Sequence, residues 1–178
     1  MDIEKPKVVA ALNKIMETEL AGAVRYTHYS LMIFGYNRIP IVSWLRGEAQ
    51  TSLQHAQAAG ELVTHLGAHP SLAIGPLLET RKHEIGDILR ESIEHESKSL
   101  ALYQELLSLV QGESVMLEEY ARKMVFEEEQ HLGEVDKMLR QPGDIHSVAS
   151  PEAPGIVPQV ALDSAADSAA SADVRQLT

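Results

Sequence analysis

The sequence contains no cysteine. This absence excludes disulfides, thiolate metal ligands, thiol nucleophiles and iron–sulfur clusters, so any metal must be held by histidine and carboxylate side chains. Long apolar runs are missing too, since no stretch approaches the roughly 18 apolar residues that a membrane span needs. The first residues, MDIEKPKVVAALNK, carry acids and lysines where a signal peptide requires an apolar run. We therefore expect a cytoplasmic protein that does not contact membranes.

Basic residues are scarce as well. The 178 residues include 26 Asp and Glu against 15 Lys and Arg, which gives a formal net charge of −11. No basic stripe interrupts this acidity, so we expect no nucleic-acid partner, whereas cations are attracted. With 44% hydrophobic residues, the chain has enough apolar side chains for one domain of ordinary size.

The few aromatic residues are unevenly placed. All eight of them, one Trp, five Tyr and two Phe, precede Pro142. After that point the chain turns to Ala, Ser, Asp and Pro, with repeats such as DSAADSAASAD that cannot bury enough apolar surface to offset the entropy of ordering. We therefore assign the fold to residues 1–140 and expect residues 141–178 to form a mostly disordered acidic tail.

The first 140 residues show a helical pattern and no convincing strand pattern. Apolar residues recur at steps of three and four in four segments, at about 5–34, 40–66, 81–110 and 114–139. The connection 67–80 could span roughly 46 Å, more than the length of about 40 Å of a 27-residue helix. The sequence thus predicts an all-α four-helix bundle with one long crossover between helices two and three.

Several polar residues stand on these helices where the period calls for apolar ones. They are Glu19 on the first helix, Glu48, Ser52 and His55 on the second, Glu96 on the third, and Glu128 and His131 on the fourth. A buried carboxylate costs several kcal/mol unless it is paired or bound to a metal. Since we find no lysine or arginine on these stripes, the pattern predicts a shared pair of cations near the bundle centre.

In this arrangement Glu19 and Glu96 are terminal ligands, Glu128 is a bridging ligand, and His55 and His131 each give one ring nitrogen. Oxygen and imidazole ligands suit iron or manganese, with zinc as another candidate. Taken alone, a Glu-x-x-His pair such as Glu128 with His131 is common, and the acidic run 127–129 could be a solvated face. We take the other histidines as surface or capping residues: His28, His65, His69, His83, His95 and His146.

Three segments carry a family resemblance. The sequences LNKIMETELAGAVRYTHYS, SLQHAQAAGELVTHLGAHPSL and FEEEQHLGEVDKML resemble the first, second and fourth helices of bacterioferritin, within the ferritin-like superfamily. The resemblance covers roughly residues 5–140 and implies a ferritin-like bundle. It also implies two iron ions held by the five residues Glu19, His55, Glu96, Glu128 and His131. Tyr26 takes the place of a tyrosine that the family keeps beside the metals, where it could donate an electron.

Two positions depart from the family pattern. Ser52 stands where the second helix of the family has a second bridging carboxylate, and Glu48, one turn away on the same face, could replace it directly or through water. Leu53 occupies the place of the methionine that ligates haem, so haem is not supported. The tail does not resemble the fifth helix of 24-subunit cages, and we expect a homo-oligomer that is a dimer or larger.

The resemblance implies a ferroxidase, a di-iron carboxylate protein that binds ferrous iron and oxidises it with dioxygen or hydrogen peroxide. Such a protein would serve iron storage, iron detoxification and defence against oxidants. A rubrerythrin-like peroxidase or another di-metal oxidase is one alternative. From a different class, the chain could be a metal-poor structural or cargo bundle whose site has degenerated, with Ser52 as the first loss.

Overall fold

The computed structural model describes residues 3–145. This part of the chain forms four α-helices and no strand: α1 Lys5–Met32, α2 Arg38–His65, α3 Ile85–Val110 and α4 Val115–Leu139. The predicted all-α architecture is confirmed, whereas most of the predicted tail, from residue 146 on, lies outside the described residues. Among helices α1 to α4, none is long and apolar enough to cross a membrane.

Three helix ends differ from the sequence prediction by two residues or more. Helix α1 ends at Met32 because Ile33 is extended, with φ −77° and ψ 125°, and α2 begins at Arg38, with Pro40 in its first turn. Helix α3 begins at Ile85, four residues later than predicted. Arg81 adopts a left-handed backbone with φ 56°, which an α-helix of L-residues does not continue through.

The helices pair as two hairpins. Short links at 33–37 and 111–114 join α1 to α2 and α3 to α4, and the hairpins pack through α1 against α3. Helices α1 and α3 run antiparallel, since Tyr26 bonds to Glu96 while Glu19, earlier on α1, bonds to Tyr103, later on α3. Helices α2 and α3 are therefore parallel, as the long crossover predicted. No Cα atom of α2 comes within 8 Å of one in α4, which leaves a gap between these two helices.

The apolar core consists of two separate clusters. The larger one lies at the end of the bundle that holds the α3–α4 turn, and it includes Val8, Leu12, Val63, Tyr103, Val110, Leu117 and Met124. The smaller one lies at the α1–α2 turn and comprises Tyr26, Tyr29, Ile33, Val42, Leu45 and Ile88. The two clusters bracket a polar layer in the middle of the bundle.

The crossover segment, residues 66–84, lies directly on α1. Ser71 donates its backbone N–H to Asn13 Oδ1 at 2.8 Å and its hydroxyl to Glu17 Oε1 at 2.5 Å. Gly75 donates its N–H to the Glu17 carbonyl at 2.7 Å. A Cβ atom on Gly75 would stand 2.9 Å from that carbonyl oxygen, so the close approach requires glycine.

We expect Gly75→Ala to lower the free energy of unfolding by about 1–3 kcal/mol, because the helix backbone at Glu17 cannot move aside as a side chain can. Gly47→Ala is the matched control, since a Cβ there meets nothing within 4 Å. The control should leave stability unchanged or raise it by about 0.5–1 kcal/mol, as expected for replacing a helical glycine. Urea unfolding of both variants measures the difference, and equal midpoints would contradict the close contact.

Candidate metal centre

Three carboxylates occupy the polar layer between the two apolar clusters. Glu19 on α1, Glu96 on α3 and Glu128 on α4 are each at most 5% exposed. Each carboxylate is one or two helical turns away from apolar core residues of its own helix, so it lies on the same helix face as they do. The packing that buries this apolar face therefore buries the carboxylate as well. The layer therefore concentrates negative charge where water does not screen it.

The structure brings these carboxylates and two histidines into two clusters. Glu19, His55 and Glu128 form one cluster, and Glu96, Glu128 and His131 form the other. In each cluster one potential ligand atom per residue lies within 4.8 Å of the others. Because Glu128 belongs to both clusters, its carboxylate could be shared by two adjacent ions.

Helices α2 and α4 meet across their gap through the side chains of this layer. His55 Nδ1 lies 3.3 Å from Glu128 Oε1 and 3.7 Å from Glu19 Oε1, and its Nε2 lies 3.5 Å from Glu127 Oε2. The His55 and His131 rings stack nearly parallel, with centroids 6.2 Å apart. Glu127, which the sequence suggested could belong to a solvated face, thus contributes one oxygen at the edge of the centre.

Proton affinities at the centre are strongly shifted. Burial alone would lower the pKa of His55, but its contacts with Glu128 and Glu19 outweigh burial and raise that pKa to about 10. Burial, together with the neighbouring Glu128, raises the pKa of Glu19 and of Glu96. The pKa of Glu128 is lowered, because contacts with His55 and Glu96 outweigh its burial. In the metal-free centre, a protonated His55 therefore stands between two carboxylates.

The residues present fit a pair of divalent cations. Glu128 Oε2 is buried and has no hydrogen-bond partner among residues 3–145, and an orphaned buried carboxylate oxygen is costly unless a cation meets it. The donor set of oxygens and imidazoles, without sulfur, suits iron or manganese. A tyrosine supports each terminal carboxylate: Tyr103 donates its hydroxyl to Glu19 Oε1 at 3.0 Å, and Tyr26 donates its hydroxyl to Glu96.

Glu48 lies beside the two clusters and belongs to neither of them. It lines a polar cavity of about 260 Å³ together with Tyr26, Trp44, Glu96, Gln130, His131 and Glu134. Burial raises the pKa of Glu48, and burial together with Glu96 raises the pKa of Tyr26 well above its usual value. Glu48 and Tyr26 thus both line the cavity that adjoins the two clusters.

The sequence prediction for His95 was wrong. Its side chain is buried, at 4% exposure, and not at the surface. Burial and the nearby Arg25 lower the pKa of His95 to about 4, so the ring is neutral. Its Nε2 has no hydrogen-bond partner within the described part of the chain. The spacing of His95 from the buried Ile88 and Ser92, seven and three residues earlier, was a signal that could have revealed its burial.

His95, Ser52 and Gly22 fill one small space between α1, α2 and α3. A Cβ atom on Gly22 would stand 2.6 Å from His95 Nε2 and 2.9 Å from Ser52 Oγ. Because the His95 ring and the Ser52 hydroxyl both lie against Gly22, we expect a longer side chain at position 52 to crowd the ring.

The structure shows two features of basic residues that the sequence analysis did not identify. Arg25 is buried despite its charge, and its Nη2 donates to Tyr29 Oη at 3.1 Å and to the Glu91 carbonyl at 3.0 Å. His28 and His83, which we took as surface or capping residues, both lie beside Glu79 in a third group of potential metal ligands. Glu79 stands in the crossover segment, where no helical period pointed to it.

Two helix hairpins packed around shared carboxylates and histidines are typical of helical carboxylate proteins that bind metals. The family model described as a ferritin-like domain matches residues 9–142, and the chain belongs to this family. No curated protein sequence matches the chain.

Solved structures of bacterioferritin-related and other di-iron proteins are similar in fold. A ferritin-like di-iron carboxylate protein from Bacillus anthracis str. Ames has a TM-score of 0.73 at 18% identity, covering 79% of this chain and 100% of that one. The dodecameric thioferritin from Bacteroides fragilis, a bacterioferritin-related protein, has a TM-score of 0.70 at 18% identity, covering 77% and 86%. The Rhodobacter capsulatus bacterioferritin has a TM-score of 0.68 at 19% identity, covering 75% and 84%.

The packing of His95 against position 52 can be tested by a double-mutant cycle. Ser52→Gln, an uncharged mimic of the missing carboxylate, should destabilise the protein by about 1–3 kcal/mol through overpacking. In combination with His95→Ala, which empties the space, the loss should be smaller than the sum of the two single losses by at least about 1 kcal/mol. Urea unfolding of the metal-free variants measures this coupling, and strictly additive losses would contradict the shared space.

Proposed function

We propose that this protein is a ferroxidase, which binds two ferrous ions as its substrate and oxidises them with dioxygen or hydrogen peroxide. The observation that supports this proposal most is the pair of ligand clusters that share Glu128. One carboxylate common to two adjacent three-residue clusters suits two ions held side by side, each of which can give one electron to the same oxidant.

Charge balance favours a role for Glu48 at this centre. Two ferrous ions carry four positive charges, while Glu19, Glu96 and Glu128 supply three negative ones. Glu48 is half-buried in the adjoining cavity, and its carboxylate would supply the fourth. We infer that Glu48 replaces the carboxylate that is missing at position 52.

Each residue of the centre has a role in this scheme. His55 and His131 each offer a ring nitrogen, and His55 must release its proton when an ion binds. Glu19, Glu96 and Glu128 stabilise the ferric charge that oxidation creates. The hydrogen bond from Tyr26 orients Glu96, and we propose Tyr26 as the donor of a further electron when the oxidant is reduced beyond the two electrons that the ferrous ions supply. Two ferrous ions supply two electrons, enough to convert dioxygen and two protons to hydrogen peroxide, or hydrogen peroxide and two protons to water.

An open groove gives ions a route to the centre. The gap between α2 and α4 forms a groove of about 570 Å³, whose lining includes Thr51, Gln54, His55, Tyr120, Glu127, Gln130 and His131. Because both ligand histidines line this groove, a cation reaches them without unfolding of the bundle. The wall of the groove carries both signs of charge, because Lys123 also lines it and its Nζ lies 3.4 Å from Glu127 Oε1.

A second candidate function is a metal-poor structural bundle, which one observation favours. The protonated His55 between Glu19 and Glu128 already offsets part of the buried negative charge without a metal. A bundle of this kind would bind iron weakly or not at all and would keep its fold when metals are removed.

Anaerobic titration with ferrous iron, followed by addition of air or hydrogen peroxide, tests the proposed function. We expect two irons per chain and a rapid rise in ferric absorbance. Glu128→Gln should weaken binding of both irons by at least about tenfold, because the shared ligand is lost. Glu129→Gln, at an exposed neighbouring position on α4, is the matched control and should behave as the wild type.

The outcomes separate the alternatives. At most one iron per chain without oxidation would contradict the ferroxidase and support the structural bundle. Oxidation by hydrogen peroxide but not by dioxygen would instead favour a rubrerythrin-like peroxidase. Equal iron binding by wild type and Glu128→Gln would refute the assignment of the centre.

We also propose that the chain assembles as a homo-oligomer. Phe34, Tyr36 and Ile39 are exposed apolar side chains at the α1–α2 turn, and Tyr36 is 96% exposed. Exposed apolar groups of this kind mark interaction surfaces, and the similar Bacteroides fragilis protein is dodecameric. We propose that a second copy of this chain packs against the α1–α2 turn.

Light scattering coupled to size exclusion measures the assembly. We expect a mass of at least two chains for the wild type and a smaller mass for Ile39→Lys. Val115→Lys, at an exposed apolar position at the opposite end of the bundle, is the control and should keep the wild-type mass. A monomeric wild type would contradict the proposal.

A further inference from the structure

A third group of potential metal ligands lies at the surface, outside the bundle centre. It consists of His28 near the end of α1 and of Glu79 and His83 in the crossover segment. One ligand atom from each residue lies within 4.8 Å of the other two. The His28 Nε2 atom is 3.8 Å from Glu79 Oε2, and the His28 and His83 rings have centroids 6.2 Å apart.

The backbone of the crossover segment orients Glu79 toward His28. One oxygen of Glu79, Oε1, accepts the Arg81 backbone N–H at 2.9 Å, while the other oxygen, Oε2, faces His28. The left-handed conformation of Arg81 turns the chain so that His83 comes back to the same place. The segment thus folds around the point where the three side chains converge.

This turn is also fixed to the bundle. Thr80 donates its hydroxyl to Glu91 Oε1 on α3 at 2.5 Å, and Tyr29 donates its hydroxyl to Glu91 Oε2 at 2.8 Å. Arg25 donates to the Glu91 carbonyl at 3.0 Å. Because Glu91 connects the turn to both α1 and α3, the three potential ligands are held near each other before any ion arrives.

We propose that His28, Glu79 and His83 form a second metal site, which binds a divalent transition-metal ion and fastens the crossover segment to α1. Two imidazoles and one carboxylate are a donor set that binds Zn²⁺ with a further position left for water. Ligands at about 2.0–2.2 Å from a tetrahedral ion stand about 3.3–3.6 Å apart, so a contraction of about 1 Å in this exposed turn completes the site.

The competing explanation is a plain surface ion pair between His28 and Glu79. Both side chains are substantially exposed, and such a pair contributes little to stability. An ion pair would not bring His83 to the same point, and it would not respond to zinc. The presence of a second imidazole therefore favours a metal over the ion pair.

Limited proteolysis with trypsin tests the site, because Arg81 and Lys82 lie between two of the proposed ligands. We expect Zn²⁺ to slow cleavage after Arg81 and Lys82 at least fivefold in the full chain, while cleavage after Arg140, at the end of α4, keeps its rate. Equilibrium dialysis should show one more zinc ion per chain in the wild type than in His28→Gln or His83→Gln.

Matched variants decide between the explanations. His65→Gln, at an exposed histidine outside all three ligand groups, should retain the protection by zinc. His131→Gln should also retain it, because that variant alters only the bundle centre. Loss of protection in His28→Gln, Glu79→Gln and His83→Gln, with unchanged zinc-free melting, supports the site. Equal cleavage with and without Zn²⁺ in the wild type, or protection that survives in all three variants, would overturn it.

Discussion

The burial of three carboxylates at one level of the bundle is the constraint on which the rest of the structure depends. Glu19, Glu96 and Glu128 repel one another in a medium that screens charge poorly. The two apolar clusters on either side supply the burial that holds the helices together despite this repulsion. Tyrosine hydroxyls and the protonated His55 offset part of the cost, and a pair of cations would offset the rest.

Helical periodicity made much of this centre predictable. Glu19 and Glu96 stood on stripes whose other members were apolar, and the i, i+3 spacing of Glu128 and His131 placed both on one face of α4. The parallel arrangement of α2 and α3 followed from the length of the crossover alone. These features depend on the periodicity of a single helix or on the length that one connecting segment can span. Both follow from the sequence without knowledge of the tertiary contacts.

Other features depend on how the helices are rotated against each other, which the sequence does not state. His95 is buried because α3 turns this position toward Gly22 and Ser52. Its helical spacing from Ile88 was the one hint of that burial, since a polar ring adds no apolar signal of its own. Glu79 lies in a segment without any period, so its meeting with His28 could not be anticipated. The predicted start of α3 was wrong for a similar reason, because an arginine at position 81 does not indicate a left-handed backbone.

The division of the bundle into two hairpins bears on the order of folding. Contacts within α1–α2 and within α3–α4 are close in sequence, and such contacts form faster than those between distant segments. Glu96, Glu128 and His131 all belong to the second hairpin, whereas the cluster of Glu19, His55 and Glu128 draws on both. One half of the centre is thus complete when the second hairpin closes, and the other half forms only when the hairpins dock. A cation present during synthesis would meet the proposed cluster of Glu96, Glu128 and His131 before the bundle is assembled.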